Sequence, residues 1–200
     1  MPKSKEQFEQ VRNERIKVIL KSAAILFALK GYEGVSLDEV TKVAKCSHGL
    51  LYHYFANKEA LYQAVLEQVV YPECQQMFTD IDWNKKAKDV LSNLLDKVLS
   101  TISSNDDEKV RNLYLLLNIH LQKSLPVVKK NEKGHTKIFA YIDELIDRGK
   151  KENDFKDYDT IELTISVLSL IKGIAFNRLH IGSKRFIAPH KEIIMGMLLK

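Results

Sequence analysis

Residues 36–55 read SLDEVTKVAKCSHGLLYHYF, and the reading of this stretch decides the fold. Ser36 stands three residues before Glu39, the capping-box spacing, while Asp38 and Glu39 put negative charge in a first turn where the helix dipole favours it. Leu37, Val40, Val43 and Ala44 then form the apolar side of a short helix. Lys45 and Cys46 must turn the chain, because Ser47 is a good cap for a new start. Two short helices joined by so tight a turn are a helix-turn-helix.

The second helix of the pair is almost entirely apolar or aromatic, yet a small domain buries only one stripe of it. With about 100° between successive side chains, Leu51, Tyr54 and Phe55 fall on one face and are expected inside. Gly49, Tyr52 and His53 fall opposite, with His48 and Leu50 at the margins. That outward set suits a major groove: Gly49 permits close approach, His48 and His53 can hydrogen-bond base edges or phosphates, and Leu50 can touch a thymine methyl. Tyr52 can reach a phosphate with its hydroxyl. Lys45, Ser47, and the residues Ser36 and Lys58 at the starts of the flanking helices would complete the footprint on the backbone, where positive helix ends favour anions. The competing reading is that Tyr52 and His53 merely cover the joint to the rest of the chain.

Outward from this pair the pattern stays helical. Ile16, Ile19, Leu20, Ala23 and Phe27 recur at helical spacing between about Val11 and Lys30, and Gly31 is placed to end that helix with Tyr32 folding back. Asn57 caps a fourth helix that carries Leu61, Val65 and Val69 towards Phe78. Further helices are expected over Ala87–Ile102, Lys109–Leu121, Lys137–Gly149, Thr160–His180 and Pro189–Leu199. No segment alternates as a strand does. The expectation is an all-α chain of about nine helices: a helix-turn-helix DNA-binding domain over 1–56, and a helical ligand-sensing and dimerisation domain over 57–200.

Bulk properties agree with this without deciding it. Of 200 residues, 45% are hydrophobic and 28% charged, enough for a core without disulfides, and the four prolines and eight glycines form no linker. No run of about 18 consecutive apolar residues is present, and MPKSKEQFEQ leads into charged helical sequence, so a cytoplasmic location away from membranes is expected. Cys46 and Cys74 are the only cysteines, and nothing has zinc-site or CxxC spacing. The net charge of +5 fits a polyanionic partner. Residues 1–70 hold ten Lys or Arg against eight Asp or Glu, so position matters more than total.

Residues 16–66 resemble the DNA-binding domain of the TetR family of bacterial transcriptional regulators. The family pattern A-G-V-S-x-G-x-L-Y-x-x-F-x-x-K-x-x-L stands here as Ala44, Lys45, Cys46, Ser47, Gly49, Leu51, Tyr52, Phe55, Lys58 and Leu61, without a gap. Upstream, FALKGYEGVSLDEV resembles the family's F-x-x-x-G-Y-x-x-T-(S/T)-x-x-x-I. Lys45 replaces the usual turn glycine, which costs about 1 kcal/mol if the position is left-handed. Cys46 replaces a valine and is expected inward. His48, Leu50 and His53 occupy variable positions of the pattern, which leaves the operator sequence open.

The resemblance implies that the remaining helices sense a small molecule and dimerise through the last two helices, about 160–180 and 189–199, so that a homodimer reads a palindromic operator in double-stranded DNA. GKKENDFKDYDTIELTISVLSLIKGI, residues 149–174, resembles a recurrent family stretch with a turn, an acidic cap and a helix. Independently, Ser166, Ser169, Gly173 and Asn177 give that helix a stripe of small side chains that permits close approach, either within the monomer or across a two-fold interface. Ligand binding would favour a state in which the fourth helix has moved, releasing DNA as from a repressor.

Polar or aromatic residues within apolar helices are the ligand candidates: Tyr114, Asn118, His120, Phe139 and Phe176, with Trp83 and Met77 read as core. No cofactor, metal or catalytic residue is expected. Glu132 and His135 have the di-iron E-x-x-H spacing, but that chemistry needs two such pairs and two more glutamates. No P-loop, GxGxxG or G-x-S-x-G occurs. The alternatives to a DNA-binding regulator are a helical module that binds another protein and a helical-bundle metal protein.

Overall fold

A computed structural model describes residues 5–75, 79–119 and 132–200, and their side chains except those of residues 5, 73, 74, 119 and 132–139. Helices α1 (Lys5–Lys30), α2 (Leu37–Ala44) and α3 (His48–Tyr54) are followed by a continuous helical run, 58–75, called α4. It comprises Lys58–Val65, a π-helical turn Leu66–Val70, and Tyr71–Gln75. Beyond it lie α5 (Ala87–Ser103), α6 (Asp107–Ile119), α7 (Glu132–Lys151), α8 (Thr160–Ile181) and α9 (Lys191–Leu198). Counted in this way there are nine helices among the described residues, and no strand. The chain divides into two compact units, Met1–Pro72 and Glu73–Lys200.

In the first unit α1 packs on both α2 and α4, burying Ile19, Leu20, Ala23 and Phe27 on the face that the sequence spacing predicts. The helix begins at Lys5 rather than Val11, because nothing in KEQFEQ stops a helix. It ends at Gly31, whose φ of 70° is the left-handed cap conformation and whose N–H donates to the Phe27 carbonyl at 3.0 Å. Tyr32 does fold back: its ring stacks on Phe27 and meets the buried Tyr62 of α4 edge-on. Burial also pushes the Tyr62 phenol up, so it remains a neutral member of this aromatic cluster.

The π turn changes which residues of α4 are buried. An α-helical reading places Leu61, Val65 and Val69 in one stripe, but Val65, Leu66 and Val70 are buried and Val69 is only half-buried. A π turn adds one residue to the repeat, so burial steps five residues, from 65 to 70, instead of four.

The second unit is a helical core in which α8 packs on α5, α6, α7 and α9. Asp159 caps α8 by accepting the N–H groups of Ile161 and Glu162. The turn before it depends on two backbone features. Asn153 sits at a φ of 62°, and Gly149 lies so close to the fully buried Phe155 that a Cβ there would stand 2.8 Å from the ring's Cγ and nearer still to two other ring carbons. The chain end is fastened to this turn by the Lys156 N–H to the Leu198 carbonyl and the Lys200 N–H to the Asp154 carbonyl. Arg178, almost wholly buried, closes the far end of α8 on the α5–α6 turn by donating to the Ser104 carbonyl at 2.7 Å and to Asp107 Oδ1 at 2.9 Å.

Candidate nucleic-acid interface

The α2–turn–α3 unit is built by three sequence-local devices. Ser36 and Glu39 form the reciprocal capping box: the Ser36 oxygen accepts the Glu39 N–H at 3.2 Å and the Glu39 carboxylate accepts the Ser36 N–H at 3.1 Å. Ser47 caps α3 through the Leu50 N–H, and Asn57 caps α4 through the Ala60 N–H. Between α2 and α3 the reversal falls on Lys45, at φ 51° and ψ 50°. This is the left-handed conformation in which the Cβ is strained. The next N–H, of Cys46, returns to the Thr41 carbonyl at 3.0 Å.

Leu51 and Phe55 of α3 are buried, which anchors the helix on the core. Tyr54, expected inside with them, is only half-buried. Its ring carries the Arg12 guanidinium 5.9 Å above its centroid, so a cation from α1 covers the side that the core leaves open. On the other side Gly49, Tyr52 and His53 are exposed and Leu50 is partly so. A Cβ at Gly49 would meet nothing within 4 Å, so this flank of α3 is clear for an incoming surface. Lys45, Ser47 and Ser36 are exposed beside it. Cys46 is half-buried, and burial raises its thiol pKa against a smaller opposing effect from Arg15, which keeps it a neutral packing residue.

Two of the expected DNA contacts are already engaged inside the protein. His48 lies with Nδ1 3.6 Å from Asp38 Oδ1 and Nε2 3.5 Å from Thr41 Oγ1, which ties the first turn of α3 to α2. Lys58 turns back on the α1–α2 loop, donating to the Tyr32 carbonyl at 2.9 Å and the Val35 carbonyl at 3.1 Å, with its ammonium 4.4 Å from the Tyr32 ring centroid. Of its three N–H bonds only one is left for a phosphate. A second clasp on the same loop is the Lys30–Glu39 ion pair. The lysine hydrogen bond, followed by that from the Ser36 N–H, holds the Glu39 carboxyl below its usual value. Asp38, Thr41 and Arg12 are therefore supporting residues that a helical wheel of α3 alone does not reveal, since their roles depend on packing between helices.

Residues 19–65 match the family model for bacterial regulatory proteins of the tetR family. The Transposon Tn10 TetC protein of Escherichia coli is 28% identical over 145 residues, 71% of this chain and 68% of that protein. Residues 19–65 are a DNA-binding domain of the tetR family of bacterial regulatory proteins. The uncharacterized HTH-type transcriptional regulator YuxN of Bacillus subtilis is 45% identical over a shorter stretch of 53 residues, 26% of this chain and 18% of that one. The TetR-like fold extends over the whole chain. A tetR-family regulator from Shewanella sp. PV-4 superposes with a TM-score of 0.64 at 18% identity, covering 93% of this chain and 98% of that one. AibR, solved in complex with isovaleryl coenzyme A and operator DNA, superposes with a TM-score of 0.68 at 18% identity, covering 92% and 95%. The protein is thus a DNA-binding transcriptional regulator with an all-helical second unit of the TetR kind.

In that second unit the described ligand candidates, Tyr114, Asn118 and Phe176, do not line the aliphatic cavity between the helices. Tyr114 and Phe176 do pair, at 6.0 Å between centroids, and Phe176 in turn lies against His180. Asn118 donates to the Tyr114 carbonyl one turn back, so its amide is partly spent on its own helix. His120 and the side chain of Phe139 lie outside the described residues, as do Met77 and the side chains of Cys74, Glu132 and His135. Trp83 packs on the core and on Tyr141. A cavity of about 40 Å3 in the unit is lined wholly by aliphatic residues such as Leu95, Leu113 and Val167. Among the described residues no cluster of three or more His, Cys, Asp or Glu could hold a metal ion.

The outer face of α8 is unusual for a surface helix. Ser166, Ser169, Gly173 and Asn177 are all exposed, and so are Ile161, Ile165, Phe176 and Ile181 beside them. The small-residue stripe thus faces away from the monomer core. Ile193 and Met197 of α9 are exposed as well. Apolar on both sides, α8 is the one helix among the described residues long and apolar enough by length and composition to cross a membrane, though no unbroken run of 18 apolar residues exists.

Proposed function

We propose that this TetR-family protein is a homodimeric repressor that binds a palindromic operator through α3 and is released by a small-molecule effector sensed in the second unit. The observation that carries the reading is the exposed face of α3: Gly49, Tyr52 and His53 stand clear of the fold, Leu50 partly so, while Leu51 and Phe55 hold the helix from behind. His48, Ser47, Ser36 and Lys45 border that face and supply hydrogen bonds or charge to bases and phosphates. Lys58 serves mainly to fix the loop before α2, with one N–H left for the DNA backbone. In function, residues 1–56 form the reading head and 57–200 the sensing and dimerising part. The AibR complex supports effector control, since that protein of the same fold was solved with both an acyl coenzyme A and operator DNA. A regulator that reads chromosomal operators works in the cytoplasm and needs neither a catalytic centre nor a membrane.

Dimerisation is assigned to α8 and α9. Their outward apolar side chains alternate with serines and glycines, which allow two helices to approach closely and bury the isoleucines against a second copy. A two-fold dimer holds two reading heads about one helical turn or a multiple of it apart.

Selection of bound duplexes from genomic or random fragments tests the reading. Recovery of an inverted repeat is expected, and recovery without sequence enrichment would overturn operator recognition in favour of a protein-binding module. For the interface, Gly173→Leu is the informative change, because a Cβ there meets nothing within 4 Å in the monomer. Sedimentation should show a folded monomer with weakened operator binding. A Gly173→Leu protein that stays dimeric would place the interface elsewhere.

A further inference from the structure

Helices α5, α6, α7 and α8 meet around the cavity of about 40 Å3. Among the described residues eleven aliphatic side chains line it, including Leu91, Leu95, Leu113, Leu117, Ile142 and Val167, and no polar atom faces it. Protein cores are close-packed and leave few voids larger than a water, so the question is what such a space admits. Water requires two to four polar partners and finds none here. The buried hydroxyl of Thr164 on α8 is already committed to Asp143. A charged or hydrogen-bonding group would be desolvated without compensation.

A saturated hydrocarbon group has no such penalty and gains dispersion contacts on every side. Size adds a second restriction. Pockets for drug-sized ligands enclose roughly 300–1,000 Å3, so this cavity takes only the end of a molecule.

We infer that the cavity seats a short alkyl group carrying no polar substituent, at the end of a ligand whose polar part stays outside it. The cavity assignment stands on the lining alone, and its regulatory meaning rests on the sensing role proposed above.

The test uses the full chain with labelled Leu, Val and Ile methyl groups and three probes: xenon, 1-butanol and 1,4-butanediol. Xenon and 1-butanol are expected to shift the methyl signals of Leu113 and Val167 saturably. The diol, which would bury a second hydroxyl without a partner, should respond on the order of a hundredfold more weakly. Val167→Ile places one more carbon in the space, and should fold with an unchanged or raised Tm while its butanol response weakens on the order of tenfold.

Absence of saturable shifts with xenon and butanol in the parent protein, or an equal response to the diol, overturns the inference whether or not the variant folds. An undiminished response in a folded Val167→Ile protein does the same. Operator binding measured alongside separates the two readings. Methyl shifts with DNA retained uphold the cavity and overturn effector release through it, whereas normal DNA binding without shifts overturns the cavity and leaves the regulator intact.

Discussion

Lys45 combines two opposed roles, and two substitutions separate them. Its backbone is left-handed, at φ 51°, a conformation that costs a residue with a Cβ about 1–2 kcal/mol. Glycine removes that strain but adds about 0.5–1 kcal/mol of chain entropy to be lost on folding. Lys45→Gly should therefore raise stability by about 0.5–1 kcal/mol over the parent, whereas Lys45→Ala keeps the Cβ and gains nothing. Both variants lose the same exposed cation at the α2–α3 turn. If that cation contacts a phosphate, the slope of log affinity against log salt should fall by about 1 per subunit in both variants alike.

Urea unfolding measures the first quantity and operator titration at several salt concentrations the second. Equal stability of Lys45→Gly and Lys45→Ala would refute the strain argument. An unchanged salt slope in both would remove Lys45 from the DNA footprint while leaving its turn geometry untouched.

Adjacent residues of α3 should respond unequally. Phe55→Ala empties a buried site and should cost about 3–5 kcal/mol, seen as unfolding of the first unit, whereas Tyr52→Phe should leave urea unfolding unchanged and weaken operator binding across sequences. Gly149→Ala should destabilise the second unit by at least about 1–3 kcal/mol, because the new methyl overlaps the Phe155 ring; partial rescue by Phe155→Leu in the double variant would identify the clash as the cause. On the acid side, hydrogen bonds from Lys30 and Lys88 are the chief cause holding the Glu39 and Asp154 carboxyls below their ordinary values. A depressed carboxylate contributes stability above its unfolded pKa and loses it as pH falls through the folded one. Urea midpoints should accordingly fall as pH drops through the carboxylate range, and less so in Glu39→Gln or Asp154→Asn proteins.

Much of the fold was legible because it is written in local rules. Gly31, Ser36, Ser47 and Asn57 are caps whose partners lie within four residues, so spacing alone identifies them. What the sequence concealed depends on contacts between helices. The carbonyls that Lys58 clasps are 23 and 26 residues away, and the Arg12 that covers Tyr54 is on another helix. The π turn leaves the apolar composition of LEQVV unchanged and shows only in the shift of burial to Val70. A ligand site is harder to read from sequence for a similar reason. Polar residues in apolar helices attract notice, but Asn118 bonds its own helix, while the cavity is made from leucines that no pattern separates from ordinary core.

The pairing of His48 with Asp38 and Thr41 has a consequence for anyone wishing to retarget this regulator. On the proposed reading, the imidazole would meet the bases from a position already held by α2, through its hydrogen bond to Thr41 and its contact with Asp38, so its base preference would not be an independent letter of a code. Replacing His48 alone would leave Asp38, 71% exposed, without its contact on α3. The three positions form a single unit of design, to be varied together: a library that randomises α3 in isolation would discard workable specificities because their escort on α2 was never changed.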